Sequence, residues 1–179
     1  MKSSNVARRY AQAFFAVAGE EKRYEEYYQE LHRFTALMAD NRNLKDFFDN
    51  PMFHKADKKV VLNKLLQMLD LSRRAADFIR LLIEKGRISR IEEIEESYRQ
   101  LMDQALGIAR VQVKTAFSLK PEMSASLKQA LESLTGNKVE MQVEEDPALL
   151  GGIVVRVGDK LYDGSVRIQL ENMRKLLVG

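Results

Sequence analysis

The residues with the most obvious chemical potential are two histidines, His32 and His54, since imidazole titrates near neutrality and binds metals. Each stands alone in the sequence. A shared metal site would need the fold to bring them together by accident, and surface or helix-capping roles are the simpler reading. No G-x-S-x-G occurs, and so few histidines argue against a serine triad. Gly151-Gly152 and Gly158 superficially suggest a phosphate loop. Their spacing fits neither G-x-G-x-x-G nor G-x-x-x-x-G-K-[ST], and they precede a strand where a phosphate loop would open a helix. They read instead as a kink or a close backbone contact at a strand entrance. Glu144-Glu145-Asp146 offers carboxylates for a cation but no further ligands, and reads as a solvated loop. The chain is therefore expected to have no catalytic residue, no metal and no cofactor.

A chain of 179 residues with 45% hydrophobic and 31% charged residues can bury one core or two small ones. Its net charge is +3, without a basic arm or an acidic tail, so composition gives nucleic-acid binding no support. It has no cysteine, which excludes disulfides and thiolate metal sites. The N-terminal MKSSNVARRYAQAFF lacks the apolar core of a signal peptide, and no window resembles a membrane span. Any role at a membrane would run through other proteins.

Hydrophobic periodicity predicts six helices before residue 107: Asn5–Ala18 ending at Gly19, Glu21–Asp40, Arg42–Asp49, Lys55–Leu69, Ser72–Lys85 and Ser89–Leu106. The fourth is expected to bury Val61, Leu65, Met68 and Leu69. Short connections suit antiparallel packing. After Gly107 the period changes. RVQVKTAF alternates, with Val111, Val113, Thr115 and Phe117 on one side, and KVEMQVEE alternates likewise. Between them, Pro121 opens a helix carrying Met123, Leu127, Ala130, Leu131 and Leu134, which Gly136 closes. GIVVRV is apolar enough for a central strand, and Gly158-Asp159 suits a tight hairpin. A last helix aligns Val166, Leu170, Met173 and Leu177. The expected fold is mainly α with a small α+β part. Residues 1–106 form a six-helix bundle, and residues 107–179 a sheet covered by two helices.

Two helices carry more apolar surface than one core needs. In the first, Val6, Tyr10, Ala13, Phe14 and Val17 form one stripe, and Ala7, Ala11, Phe15 and Ala18 an overlapping one. In the fifth, Phe78, Ile79, Leu81, Leu82 and Ile83 leave a polar strip of only Asp77, Arg80 and Glu84. Either these helices are buried all round, or their surplus makes a groove for an amphipathic partner helix. In the last helix, Arg167, Arg174 and Lys175 lie outside the apolar stripe, as a solvated face or as a docking surface.

Three segments bear a family resemblance. VARRYAQAFFAVA resembles the opening helix of the δ subunits of F-type ATP synthases, V-A-x-x-Y-A-x-A-L-F-x-x-A. FIRLLIEKGRISRI resembles that family's later helical stretch, and LLGGIVVRVGDKLYDGSVRIQL its C-terminal signature. Departures are Phe14, where members often have leucine or a smaller residue, and Ile168, where many have glycine.

The resemblance implies a non-enzymatic stator subunit that ties the catalytic α/β head to the peripheral stalk. Its partners would be the N-terminal helices of the α subunits and the C-terminal ends of the b subunits. Its place would be peripheral, on the cytoplasmic side of a bacterial cell membrane, with membrane association only through the complex. Val6, Tyr10, Ala13, Phe14 and Val17, with Ile79, Leu81, Leu82 and Ile83, become candidate contacts for the α N-terminal helix. Gly151, Gly152, Gly158 and Gly164 become structural. The competing readings are a generic helical adaptor and a nucleotide- or RNA-binding accessory protein. The second lacks an aromatic pair on a strand.

Overall fold

The computed structural model describes residues 4–158 and 160–178, with side chains as far as Arg174. It divides into two compact units, Met1–Met102 and Asp103–Gly179.

The first unit is helical: α1 (Asn5–Glu21), α2 (Tyr24–Asp40), α3 (Arg42–Asp49), α4 (Lys55–Met68), α5 (Arg73–Glu84), a 3-10 turn (Ile88–Arg90) and the greater part of α6 (Ile91–Leu106). Short polar side chains start three of these helices. The hydroxyls of Ser4 and Ser72 accept from the amides of Ala7 and Ala75, and the Asn41 side chain accepts from Leu44. Helix α1 runs through Gly19, past its expected end. The tyrosine hydroxyl of Tyr24 sits where a Cβ on Gly19 would come within 3.1 Å, and the helix stops only at Lys22 in the left-handed region.

Tyr27, Leu31, Phe34, Leu62, Ile79, Leu82, Ile94 and Tyr98 form the heart of this unit's core. The buried Tyr98 hydroxyl donates to the Tyr24 carbonyl at 3.0 Å, and burial pushes its phenol pKa up. In α4 the buried stripe is Lys58, Leu62 and Leu66, flanked by Val61, Leu65 and Leu69, and Met68 is 81% exposed. The apolar period misleads here because a lysine fills a core slot. Lys58 Nζ donates to the Phe48 carbonyl at 2.7 Å, at the C-terminal end of α3, where a cation is favoured.

The start of α1 is tied to α6. The Ser4 amide donates to Glu93 Oε2 at 3.2 Å, and hydrogen bonds from Ser4, backbone then side chain, hold the Glu93 carboxyl below its usual range. A lowered folded-state pKa contributes stability above the unfolded value, about 4.3, that is lost as pH falls through the folded value. Urea midpoints of wild type and Glu93→Gln should therefore differ at pH 7 and converge in acid. A difference constant with pH would remove this contribution.

The second unit begins where Arg110 grips Asp103 with two guanidinium nitrogens, at 2.7 and 3.0 Å, and Glu140 with the third, at 2.6 Å. This fork joins the last turn of α6 to the sheet. The sheet contains β1 (Ile108–Thr115), β2 (Lys138–Glu145), β3 (Ile153–Val157) and β4 (Lys160–Asp163), in the order β2-β1-β3-β4. Strands β1 and β2 are parallel, in register from Ile108↔Lys138 to Thr115↔Glu145, so their connection needs a crossover, supplied by α7 (Pro121–Thr135). Proline opens α7 and Gly136, at φ 68°, ends it. Strand β3 is interior, paired antiparallel with both β1 and β4. Gly158 follows it with φ 58°; Asp159 lies outside the described residues.

Val111, Val113, Val139 and Val155 fill the sheet's buried face, closed by Leu131 and Leu127 of α7. Phe117 falls beyond the end of β1 and is exposed, as are Met123, Ala130 and Leu134 of α7. The final helix, α8 (Val166–Val178), adds no described side chain to this cluster. Its stripe of Val166, Leu170 and Met173 is 38%, 55% and 59% exposed, which corrects the expectation of a second covering helix. Leu127 and Leu131 already occupy the inner face. The start of α8 is capped by Ser165, whose hydroxyl accepts from Ile168. Leu177 and Lys175 have side chains outside those described.

Two backbone segments lock together in this unit. The Gly164 amide donates to the Ile153 carbonyl at 2.9 Å, and the Val166 amide to the Gly151 carbonyl at 3.0 Å. Gly152 has φ 82°, and a Cβ there would run into the Gly164 carbonyl oxygen.

Candidate functional site

An open groove of about 610 Å³ lies between α1 and α5. Helix α1 supplies Val6, Tyr10, Ala13, Phe14 and Val17, with Arg9 on the rim. Helix α5 supplies Phe78 and Leu81, with Arg74 and Asp77, and Arg87 follows the end of α5.

The two stripes of α1 explain the groove. Ala7, Ala11 and Ala18 are buried, and their small side chains let α1 sit close against the core. The neighbouring stripe, spaced i, i+4, i+7 and i+11, then faces outward with Val6, Tyr10 and Val17 half-buried and Ala13 exposed. Phe14 belongs to both. It is only 3% exposed, stacks on Phe78 at 4.3 Å and 7°, and meets Tyr27 and Tyr98 at 5.4 Å. One ring is thus core and groove floor.

Helix α5 is divided more sharply than its sequence suggests. Ile79, Leu82 and Ile83 are buried in the core and do not line the groove. They fill the inward arc with Ala75, Ala76 and Phe78, leaving Leu81, at 40% exposure, as the outward apolar side chain. Phe78 belongs to the apolar surplus read on the fifth helix, whereas Arg9, Arg74, Asp77 and Arg87 are lining residues that the apolar count does not point to. Arg74, Asp77 and Leu81 follow helical spacing, a usable signal, whereas Arg87 lies past the Gly86 turn, where periodicity ends.

The sites considered for catalysis take ordinary roles. His32 Nδ1 lies 2.7 Å from Glu95 Oε1 and its ring stacks on Tyr28, while His54 occupies the N-cap position of α4. Lys114 Nζ lies 3.5 Å from Glu144 and 3.8 Å from Asp146. Among the described residues no group of three His, Cys, Asp or Glu could hold a metal. No described helix is long and apolar enough to cross a membrane.

The sequence model of the ATP synthase delta (OSCP) subunit matches residues 6–177. The chain belongs to the ATP synthase delta (OSCP) family. It is 50% identical to the ATP synthase subunit delta of Syntrophus aciditrophicus, over 99% of this chain and 98% of that one. It is 37% identical to that of Citrifermentans bemidjiense, with the same coverage. Its fold is similar to that of a chain in the mitochondrial ATP synthase hexamer of Toxoplasma gondii, with a TM-score of 0.72, 17% identity and 98% and 99% of the two chains covered. Membership of the delta (OSCP) family makes the chain a structural, non-catalytic subunit.

Proposed function

We propose that this chain is a stator subunit of a bacterial F-type ATP synthase, which joins the catalytic α/β head to the b-subunit stalk and keeps the head from turning with the rotor during proton-driven synthesis. Family membership over residues 6–177 supports the complex. The groove between α1 and α5 carries the assignment of the contact, as the receptor for an N-terminal helix of an α subunit. Its apolar floor and helical spacing suit an amphipathic helix held by buried anchors. Val6, Tyr10, Ala13, Phe14, Val17 and Leu81 form the contact surface, with Ile79, Leu82 and Ile83 as the core beneath it.

The six helices α1–α6 act as one bundle, residues 1–106, and residues 107–179 as a second domain. Separate hydrophobic clusters in the two parts support this division, so a lesion in the sheet is expected to leave the unfolding of the helical part in place. The second domain receives the b-subunit ends, and the outward stripe of Val166, Leu170 and Met173 on α8 supplies apolar surface for them. The protein works at the cytoplasmic face of the cell membrane, held there through the complex. Torque favours slow dissociation, and several simultaneous contacts provide it.

Leu81→Ala tests the groove with little disturbance of the core. Truncating an interface anchor costs about 2 kcal/mol, or roughly 30-fold in affinity. Titration of a peptide copying the α-subunit N-terminus should show that loss, while the urea midpoint stays near wild type. Unchanged peptide affinity would remove the groove from the assignment.

A further inference from the structure

The charges on the groove rim are unevenly satisfied. Arg74 Nε pairs with Glu21 at 3.3 Å. Asp77 is held by Arg80 at 2.8 Å and approached by Arg73 at 3.9 Å. Arg9 and Arg87 are exposed, and neither has an ion-pair partner among the described residues. The Arg87 amide donates to the Leu82 carbonyl at 2.7 Å, so its backbone is fixed by the turn that ends α5.

Both free guanidiniums lie at one end of the groove. The Glu21–Arg74 pair joins the end of α1 to the start of α5, and Phe14 stacks on Phe78 midway. The two helices are therefore antiparallel, and the beginning of α1, with Arg9, runs beside the end of α5, which leads to Arg87. The groove has an apolar floor, one neutralised end and one end with two unpaired cations.

We propose that Arg9 and Arg87 set the direction of the helix that docks in this groove, by pairing with acidic side chains at one end of its apolar stripe. The inference rests on reading the groove as a receptor for an amphipathic helix. A guanidinium presents a fork that matches a carboxylate, and beside an apolar floor the pair is less hydrated than on open surface. The apolar stripe supplies the affinity, and the charged end decides which way round the helix lies and disfavours a helix with basic residues there.

The probes are two synthetic amphipathic peptides with the same apolar residues at i, i+4, i+7 and i+11. One has two glutamates in its first turn, the other two glutamines. An untethered peptide can enter the groove either way round, so its acidic end can reach the arginines. At low salt the glutamate peptide should bind wild-type protein about 10-fold more tightly than the glutamine peptide, two surface pairs each being worth a few-fold. The advantage should shrink as salt rises. It should vanish in Arg9→Gln/Arg87→Gln, whose side chains are exposed and whose urea midpoint should match wild type. Equal binding of both peptides to wild type, with Leu81→Ala weakening both, would overturn the charge reading and leave the groove standing. An advantage retained in the double variant would overturn it too, by assigning the preference to the peptides' own helicity. Failure of both peptides to bind wild type would overturn the receptor reading and this inference with it.

Discussion

Phe14→Ala should lower the unfolding free energy of the helical unit by about 3–5 kcal/mol, the cost of emptying a well-packed aromatic site. The ring stacks on Phe78 and touches Tyr27 and Tyr98, so its removal opens a cavity bounded by rings on helices α2, α5 and α6. Those helices cannot all move inward to fill it. Domains of this kind are stable by only about 5–15 kcal/mol, and such a loss is a large fraction of the whole. Urea unfolding followed by circular dichroism measures it directly. A loss below about 1 kcal/mol would show that the aromatic cluster contributes little. Peptide binding by this variant reports folding first, because floor and core share one ring. Leu81 isolates binding, since its side chain is partly outside the core.

Gly152→Ala should cost the C-terminal unit about 3 kcal/mol or more. A left-handed alanine costs about 1–2 kcal/mol, and forcing a Cβ into packed atoms adds about 1–3. Here the obstacle is backbone: besides the Gly164 carbonyl, the Cβ would lie 3.0 Å from Ser165 Cα. Relief would break the amide–carbonyl bonds that join Gly151–Ile153 to Gly164–Val166. Gly158→Ala is the control. It also has positive φ, but its Cβ meets open space, so it should cost only the backbone strain. Thermal scans should show the C-terminal transition lowered further by Gly152→Ala than by Gly158→Ala, with the helical transition in place. Equal effects would remove the close approach as the reason for this glycine. Loss of both transitions together would argue against independent domains.

Most elements could be read from the sequence because their boundaries carry local chemistry. Pro121 and Gly136 bracket α7, and alternation marks β1 and β2. Failures came where tertiary packing overrode the local rule. Gly19 is a plausible helix stop, but α1 continues past it against Tyr24. Lys58 looks like surface, but its ammonium finds a carbonyl, and the α4 stripe turns accordingly. A groove is one of the two readings that the apolar surplus on α1 and α5 leaves open. Which of Ile79, Leu81, Leu82 and Ile83 faced it did not follow, since the width of a buried arc depends on the neighbours. For α8 the stripe was legible and its direction was not, because periodicity locates a face without saying what it faces.

The strand order also governs when this chain can become a finished molecule. β1 lies between β2 and β3, both of which follow it in the chain and are separated from it by α7 or more. During synthesis β1 leaves the ribosome with both edges bare; one can be covered by β2 once residue 145 has emerged, and the other stays bare until residues up to 157 follow. The helices α1–α5 need nothing that late, and chains fold from the N-terminus as they are made. The groove is thus complete while the sheet is still unmade, so docking of the proposed partner helix could begin on the nascent chain.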